Sequence, residues 1–181
     1  MYNSLKKSFS QNSEDNNTID IQKWLNGIKE KTLLEIKRTT FSNLEYWNKE
    51  KRTGNLLHQS KKFFSIIGIN VTTNWGFKSN WSQPIINQPE IGILGIITKY
   101  HEGKLFCLMQ AKIEPGNINF VQISPTLQAT RSNYTRVHKG KKPPYLDFFK
   151  EKKHKVIVDQ LQSEQGARFL KKRNRNIIIN V

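Results

Sequence analysis

The chain has 181 residues, one cysteine and a formal net charge of +16. A single cysteine excludes an internal disulfide, and a hydrophobic content of 36% is enough for one substantial core. No apolar run approaches the ~20 residues of a membrane helix, and no basic start followed by an apolar stretch resembles a signal peptide. We therefore expect a soluble, cytoplasmic protein with one folded domain.

The strong positive charge makes nucleic-acid binding an alternative function, because a basic chain attracts polyanions whatever its fold. The lysines and arginines are dispersed, however, over four groups at residues 49–62, 139–142, 150–155 and 171–175. No zinc-finger spacing, RNP string or helix-turn-helix accompanies them. We interpret most of this charge as a solvated surface and disfavour a nucleic-acid partner.

The N-terminal part of the chain predicts a mobile segment followed by helices. Residues 1–17 are rich in Asn, Ser and Lys and are expected to remain mobile. Asn17 can cap a helix that has Asp20 at its third position. Apolar residues then recur at helical spacing, at Ile21, Trp24, Leu25 and Ile28. Ser42 and Glu45 form a second capping box and predict another short helix.

Apolar runs bounded by turn residues predict a series of strands in the rest of the chain. They run near residues 63–71, 91–100, 104–112, 119–124, 155–161 and 177–181. Residues 163–172 are predicted to form a helix before the final strand. Cys107 lies in a run that is apolar on both faces, so we expect an inert thiol in the core.

Polar side chains crowd the run from residue 105 to residue 134, where two core strands are predicted. Such groups are costly inside a fold unless they serve a pocket. Gln110, Lys112 and Glu114 share one parity, so in an extended strand their side chains leave the same face. Pro115-Gly116-Asn117 then breaks the strand and predicts a hairpin. We expect this run to form the wall of a binding pocket.

Several long strings of the sequence carry a resemblance to a known family. They are Trp81-Ser82-Gln83-Pro84-Ile85-Ile86, Gly92-Ile93-Leu94-Gly95, Gln110-Ala111-Lys112-Ile113-Glu114-Pro115-Gly116-Asn117, Ser124-Pro125-Thr126-Leu127-Gln128-Ala129-Thr130, Ser163-Glu164-Gln165-Gly166-Ala167-Arg168-Phe169 and Lys172-Arg173-Asn174-Arg175-Asn176. From about Leu44 to the C-terminus the chain resembles the NDP-hexose 2,3-dehydratase family. In one loop it departs from the family, because a glycine is expected at the position of Lys61.

The resemblance implies an α+β fold with a Nudix-like mixed sheet flanked by helices, formed here as a single module over residues 18–181. Family members carry two such modules and form dimers, so this chain is about half of a typical member. We accordingly expect a homodimer or association with a second module. No metal and no cofactor is expected, since the four histidines are scattered and no Gly-rich phosphate loop is present.

The same resemblance implies a carbon-oxygen lyase of deoxysugar biosynthesis. Such an enzyme eliminates water across C2 and C3 of an NDP-4-keto-6-deoxyhexose, and dTDP-4-keto-6-deoxyglucose is the expected substrate. A non-catalytic subunit that binds sugar nucleotides or pairs with another module remains an alternative, because the chain is only about one module long.

The implied elimination needs a base for the C3 proton, an acid for the departing C2 hydroxyl and a donor to the C4 oxygen. Lys112 and Glu114 are the first catalytic candidates, although a structural ion pair explains their proximity equally well. Tyr134 is a candidate acid or enolate donor. Arg131 suits a diphosphate, because its planar group matches phosphate oxygens. Trp81 is a candidate for stacking on the nucleobase. The candidates for sugar hydroxyls are Gln83, Asn117, Thr126, Gln128, Thr130 and Asn133.

Overall fold

The computed structural model describes residues 6–8, 18–130, 142–151 and 153–181. From residue 18 onward its helices are α1 (Thr18–Glu30) and α2 (Leu146–Lys150). Its strands are β1 (Trp47–Lys49), β2 (Leu56–His58), β3 (Ser65–Thr72), β4 (Asn80–Asn87), β5 (Gly92–His101), β6 (Lys104–Ile113), β7 (Val121–Pro125), β8 (Leu127–Ala129), β9 (Lys155–Ser163) and β10 (Arg173–Asn180).

The strands form two sheets. One is antiparallel with the order β1-β2-β3-β4, and the other has the order β7-β6-β5-β10-β9, with β8 also paired to β5. In the larger sheet β5 and β10 are parallel and the other pairs are antiparallel. The predicted α+β class and mixed sheet are therefore confirmed.

One edge of β5 is shared by two strands. β6 pairs with the second half of β5, from Ile97 to His101, and β8 pairs with the first half, from Ile93 to Gly95. β6 therefore leaves β5 and continues beside β7 in the predicted hairpin. We call this divergence of β6 and β8 beside β5 the fork. It creates a space between strands that are otherwise hydrogen-bonded.

The core lies on one face of the larger sheet, where α2 packs. Its members are Ile93, Ile97, Leu127, Ala129, Leu146, Phe149, Ile177 and Ile179. Gly95 is paired with Ile177 on one side and with Leu127 on the other, and paired positions point to the same face. The Phe149 ring lies over Gly95, where an added Cβ would be 2.5 Å from ring atoms. Glycine is therefore required for this close approach.

The predicted helix at residues 163–172 is wrong. This segment is the connection between β9 and β10, and Glu164 N donates to Lys172 O at 3.0 Å. Its middle is bound to β4, where Ile86 N donates to Arg168 O at 2.8 Å and Leu170 N donates to Ile86 O at 2.9 Å. Backbone groups that a helix would pair internally are thus used to join the two sheets.

Other local expectations also differ from the structure. The second capping box does not start an α-helix, because Phe41–Asn43 is a single 3-10 turn and Tyr46 has a left-handed φ of 63° before β1. Cys107 is exposed rather than buried. It is paired with Thr98, on the sheet face opposite Phe149. A strand with apolar residues on both faces is buried only where both faces are covered.

Lys61 occupies the position at which the family resemblance predicts glycine. Its φ is 54°, and its N donates to His58 O at 2.9 Å to close a turn. The turn is also held by a 2.8 Å contact between His58 Nδ1 and Ser60 Oγ. A left-handed backbone costs a residue with a Cβ about 1–2 kcal/mol, whereas glycine adopts it freely. Lys61 is therefore a local source of backbone strain.

We expect Lys61→Gly to raise the free energy of unfolding by about 0.5–1 kcal/mol, because the relief of backbone strain is only partly offset by the greater conformational entropy of glycine in the unfolded chain. Urea unfolding followed by tryptophan fluorescence measures the change. Lys62→Gly is the matched control, because the backbone of Lys62 does not have a positive φ. It should lower stability. A loss of stability in both variants would contradict the assignment of strain to Lys61.

Candidate functional site

A cleft of about 330 Å³ opens at the fork. One wall is formed by the end of β6 and by β8, and the other by the start of β10 and the connection before it. The cleft lies on the face away from Phe149, because Leu94, which lines it, has the opposite parity to Gly95. Polar groups can gather here without entering the apolar core.

The first wall combines an ammonium, a carboxylate and an amide. Lys112 Nζ lies 2.8 Å from Glu114 Oε1, and Gln128 Nε2 donates to the same oxygen at 3.3 Å. Ser124 Oγ in turn donates to Gln128 Oε1 at 3.3 Å, which orients the amide. Both contacts of the carboxylate involve Oε1, so Glu114 Oε2 is not used by either. Within the described residues the wall therefore offers an oriented carboxylate whose second oxygen is not used by these two contacts.

The second wall contains a buried lysine. Lys172 is only 5% exposed, and its ammonium donates to Glu90 O. Burial lowers the pKa of Lys172, and the nearby carboxylates of Glu90 and Glu164 oppose that shift. Asn174 is also buried, donates to Glu164 Oε1 and accepts a hydrogen bond from Gly92 N at 3.3 Å. This wall is therefore a connected polar network.

Sequence reasoning did not nominate the residues of the second wall. Lys172, Asn174 and Glu164 all lie within the strings that carry the family resemblance. The alternation of Lys172 and Asn174 is a signal for a strand with a polar face. The prediction of a helix that ends at residue 172 hides this polar strand face.

Four of the predicted site residues come together in the cleft: Lys112, Glu114, Gln128 and Thr130. Thr126 lies elsewhere. It is 1% exposed, accepts from Ile97 N at 3.0 Å and donates to Leu108 O, so it joins the strands of the fork. Asn117 also lies away from the cleft, and its Nδ2 donates to Phe120 O at 3.1 Å within the β6–β7 turn.

The two candidates on β4 lie outside this cleft. Trp81 Nε1 donates to Gln83 Oε1 at 2.8 Å, and Gln83 Nε2 donates to Ala167 O at 2.8 Å. These contacts connect β4 to the β9–β10 connection, and Gln83 lines a separate hollow on the smaller sheet. The remaining candidates, Arg131, Asn133 and Tyr134, lie outside the described residues.

Two further features of the described chain bear on its class. No helix in this part of the chain is long and apolar enough to cross a bilayer. Over the same residues, no cluster of three or more His, Cys, Asp and Glu side chains could hold a metal ion.

An open cleft with a few convergent polar groups is typical of a protein that binds a polar small molecule. The chain is therefore an α+β protein with an open polar cleft. The sequence model of the NDP-hexose 2,3-dehydratase family matches residues 18–181. The chain belongs to this family.

Curated relatives agree with the family match. The chain is 48% identical over 165 residues to the dTDP-4-dehydro-6-deoxy-alpha-D-glucopyranose 2,3-dehydratase of Saccharopolyspora spinosa, covering 91% of this chain and 34% of the relative. It is 45% identical over 168 residues to the enzyme of the same name from Amycolatopsis orientalis, covering 90% and 36%. For the Streptomyces violaceoruber enzyme the values are 49% over 146 residues, covering 80% and 33%. The chain thus spans about a third of the length of these relatives, less than the half that was expected.

Proposed function

We propose that this chain is a module of a sugar-nucleotide 2,3-dehydratase. The reaction eliminates water across C2 and C3 of an NDP-4-keto-6-deoxyhexose, with dTDP-4-keto-6-deoxyglucose as the substrate. The observation that carries the proposal is the meeting of Lys112, Glu114, Gln128 and Thr130 in one cleft opposite Lys172. The names of the relatives and the family match support the substrate class.

The oriented carboxylate of the first wall supplies the base. Glu114 Oε2 takes the C3 proton, while Lys112 and Gln128 hold the other oxygen in place. The electron pair of the broken C3–H bond forms an enolate with its charge on the C4 oxygen. Collapse of the enolate forms the C2=C3 bond and expels the C2 hydroxyl, which leaves as water after protonation by an acid. Proton transfer of this kind is typically worth 10²–10⁴-fold in rate.

Three predicted residues outside the described part complete the proposed site. Tyr134 is proposed as the acid, Arg131 as the partner of the diphosphate and Asn133 as a donor to a sugar hydroxyl. Thr130, which precedes them in the sequence, lines the cleft. We also propose that the fold is Nudix-like, that the protein is cytoplasmic, and that the module pairs with a second copy or a second module.

A second candidate function is a non-catalytic subunit that binds sugar nucleotides or pairs with another module. The observation that favours it is the length of the match, because the chain covers about a third of each relative. A pocket can keep its affinity in such a subunit while turnover requires parts that lie elsewhere.

The two candidates are separated by supplying the purified chain with dTDP-4-keto-6-deoxyglucose. We expect mass spectrometry to detect a nucleotide sugar that has lost one water, and calorimetry to detect binding of dTDP. Binding without dehydration would favour the non-catalytic subunit. Failure to bind either nucleotide would overturn the dehydratase and the sugar-nucleotide-binding subunit, and only a subunit that pairs with another module would be left.

A further inference from the structure

Lys172 stands out electrostatically from the other lysines of the described chain. Among the residues that the structure describes, it is the single charged side chain that is buried. Removing an ammonium from water is expensive, and lysines are rarely buried without a charged partner or a functional role. Its pKa is lowered by this burial. The burial of Lys172 therefore indicates a role other than that of a solvated surface charge.

The hydrogen bonding of Lys172 leaves it able to bind a ligand. Its ammonium donates to a neutral backbone carbonyl, Glu90 O, and the carboxylates of Glu90 and Glu164 act on it electrostatically. An ammonium has three donor protons, and one is used by this contact. The side chain also lines the cleft across from Glu114. A ligand oxygen in the cleft can thus accept a hydrogen bond from an ammonium proton that the contact with Glu90 O leaves.

We propose that Lys172 is a catalytic residue that donates to the C4 oxygen of the 4-keto sugar and stabilises the enolate. This inference rests on the proposed dehydratase function. As Glu114 removes the C3 proton, the electron pair moves into the C3–C4 bond and the carbonyl π pair moves to the C4 oxygen. The ammonium of Lys172 faces that charge and keeps its own proton. Expulsion of the C2 hydroxyl then returns the C4 oxygen to a carbonyl.

The charges around Lys172 favour a carbonyl oxygen over a diphosphate. Glu164 lies in the same wall and, with Glu90, acts on Lys172 electrostatically. A diphosphate would bring a permanent negative charge toward these carboxylates. A ketone enters the cleft neutral and gains charge only as the proton leaves. A donor held in place and shielded from water is most effective for charge that develops during the reaction.

Lys172→Met is the first test, because methionine keeps the length of the side chain and removes the ammonium. Lys171→Met is the matched control, since Lys171 is the exposed neighbouring residue. Two quantities are measured in D₂O with the whole chain: deuterium incorporation at C3 of dTDP-4-keto-6-deoxyglucose, and the affinities for this nucleotide sugar and for dTDP. We expect Lys172→Met to slow C3 exchange by about 10²–10³-fold, as loss of one oxyanion donor does.

The affinities distinguish the two possible contacts of Lys172. Binding of the nucleotide sugar should weaken by about tenfold, the usual worth of a charged hydrogen bond, while binding of dTDP stays unchanged. Equal weakening for both ligands would assign Lys172 to the diphosphate and overturn the inference. Unchanged C3 exchange would overturn it as well. Wild-type chain that binds but shows neither C3 exchange nor dehydration would contradict a catalytic role, and wild-type chain that binds neither ligand would first refute the proposed function.

A second variant separates the chemical role from a structural one. In Lys172→Gln the amide can still donate to Glu90 O but carries no positive charge. We expect it to melt close to the wild-type temperature and to show the same loss of C3 exchange. If Lys172→Met and Lys172→Gln are both unfolded at the assay temperature, Lys172 serves the fold and the inference is wrong.

Discussion

Glu114→Gln is expected to lower dehydration by about 10²–10⁴-fold, the range typical of losing a general base. Glutamine keeps the size of the side chain and can still accept from Lys112 and Gln128, which now contact Glu114 Oε1 at 2.8 Å and 3.3 Å. It cannot take a proton from carbon. Product formation from dTDP-4-keto-6-deoxyglucose, followed by mass spectrometry, measures the effect, and dTDP affinity should stay close to that of the wild type.

The matched control for this experiment is Glu102→Gln. Glu102 lies in the turn between β5 and β6, where its carboxylate is exposed and lies 3.7 Å from His101 Nε2. The same change of charge at that position should leave turnover unaltered. Activity retained by Glu114→Gln would eliminate Glu114 as the base, and the Lys112–Glu114 contact would then be a structural ion pair.

Gly95→Ala is expected to cause the largest loss of stability among the variants considered. The new methyl group would lie 2.5 Å from two atoms of the Phe149 ring, which is buried in the core. The clash can be relieved only by moving α2 or by forcing the ring from its rotamer, because protein cores are closely packed. Overpacking of this kind typically costs about 1–3 kcal/mol, and the rigid ring places this case at the upper end. Urea unfolding measures the loss.

Two companion variants test whether the Phe149 contact is the cause. Gly68→Ala is the control in the middle of β3, where an added Cβ meets no atom within 4 Å, and it should change stability by less than about 1 kcal/mol. Phe149→Leu introduced into Gly95→Ala should recover part of the loss, because the two changes act on one contact. Equal effects of both glycine substitutions, or strictly additive effects of the pair, would show that the ring is not responsible.

The first wall of the cleft could be predicted from the sequence because it depends on local periodicity. The shared parity of Lys112 and Glu114 predicts one face of a strand, and the two side chains are indeed in contact. Pro115-Gly116-Asn117 similarly predicts the hairpin that brings β7 beside β6. These features are decided within about twenty residues of chain, where pattern and structure are directly related.

The second wall could not be predicted in the same way, because it is fixed by contacts between distant parts of the chain. The segment before Lys172 is predicted to be a helix, but its backbone pairs with Ile86, more than eighty residues earlier. Cys107 is exposed rather than buried for a related reason, since a sequence does not show which sheet face will be covered. In the sequence Lys172 is indistinguishable from the other basic residues, and only the fold shows that it is buried.

The hydroxyl of Thr126 has a consequence for how this cleft can change in evolution. It accepts from Ile97 N and donates to Leu108 O, so one small side chain ties the chain just before β8 to both β5 and β6. Gln128 lies in β8 and Thr130 follows that strand directly. Over evolution, a shift in the pairing of β8 against β5 would therefore displace both side chains together and widen or narrow the mouth of the cleft.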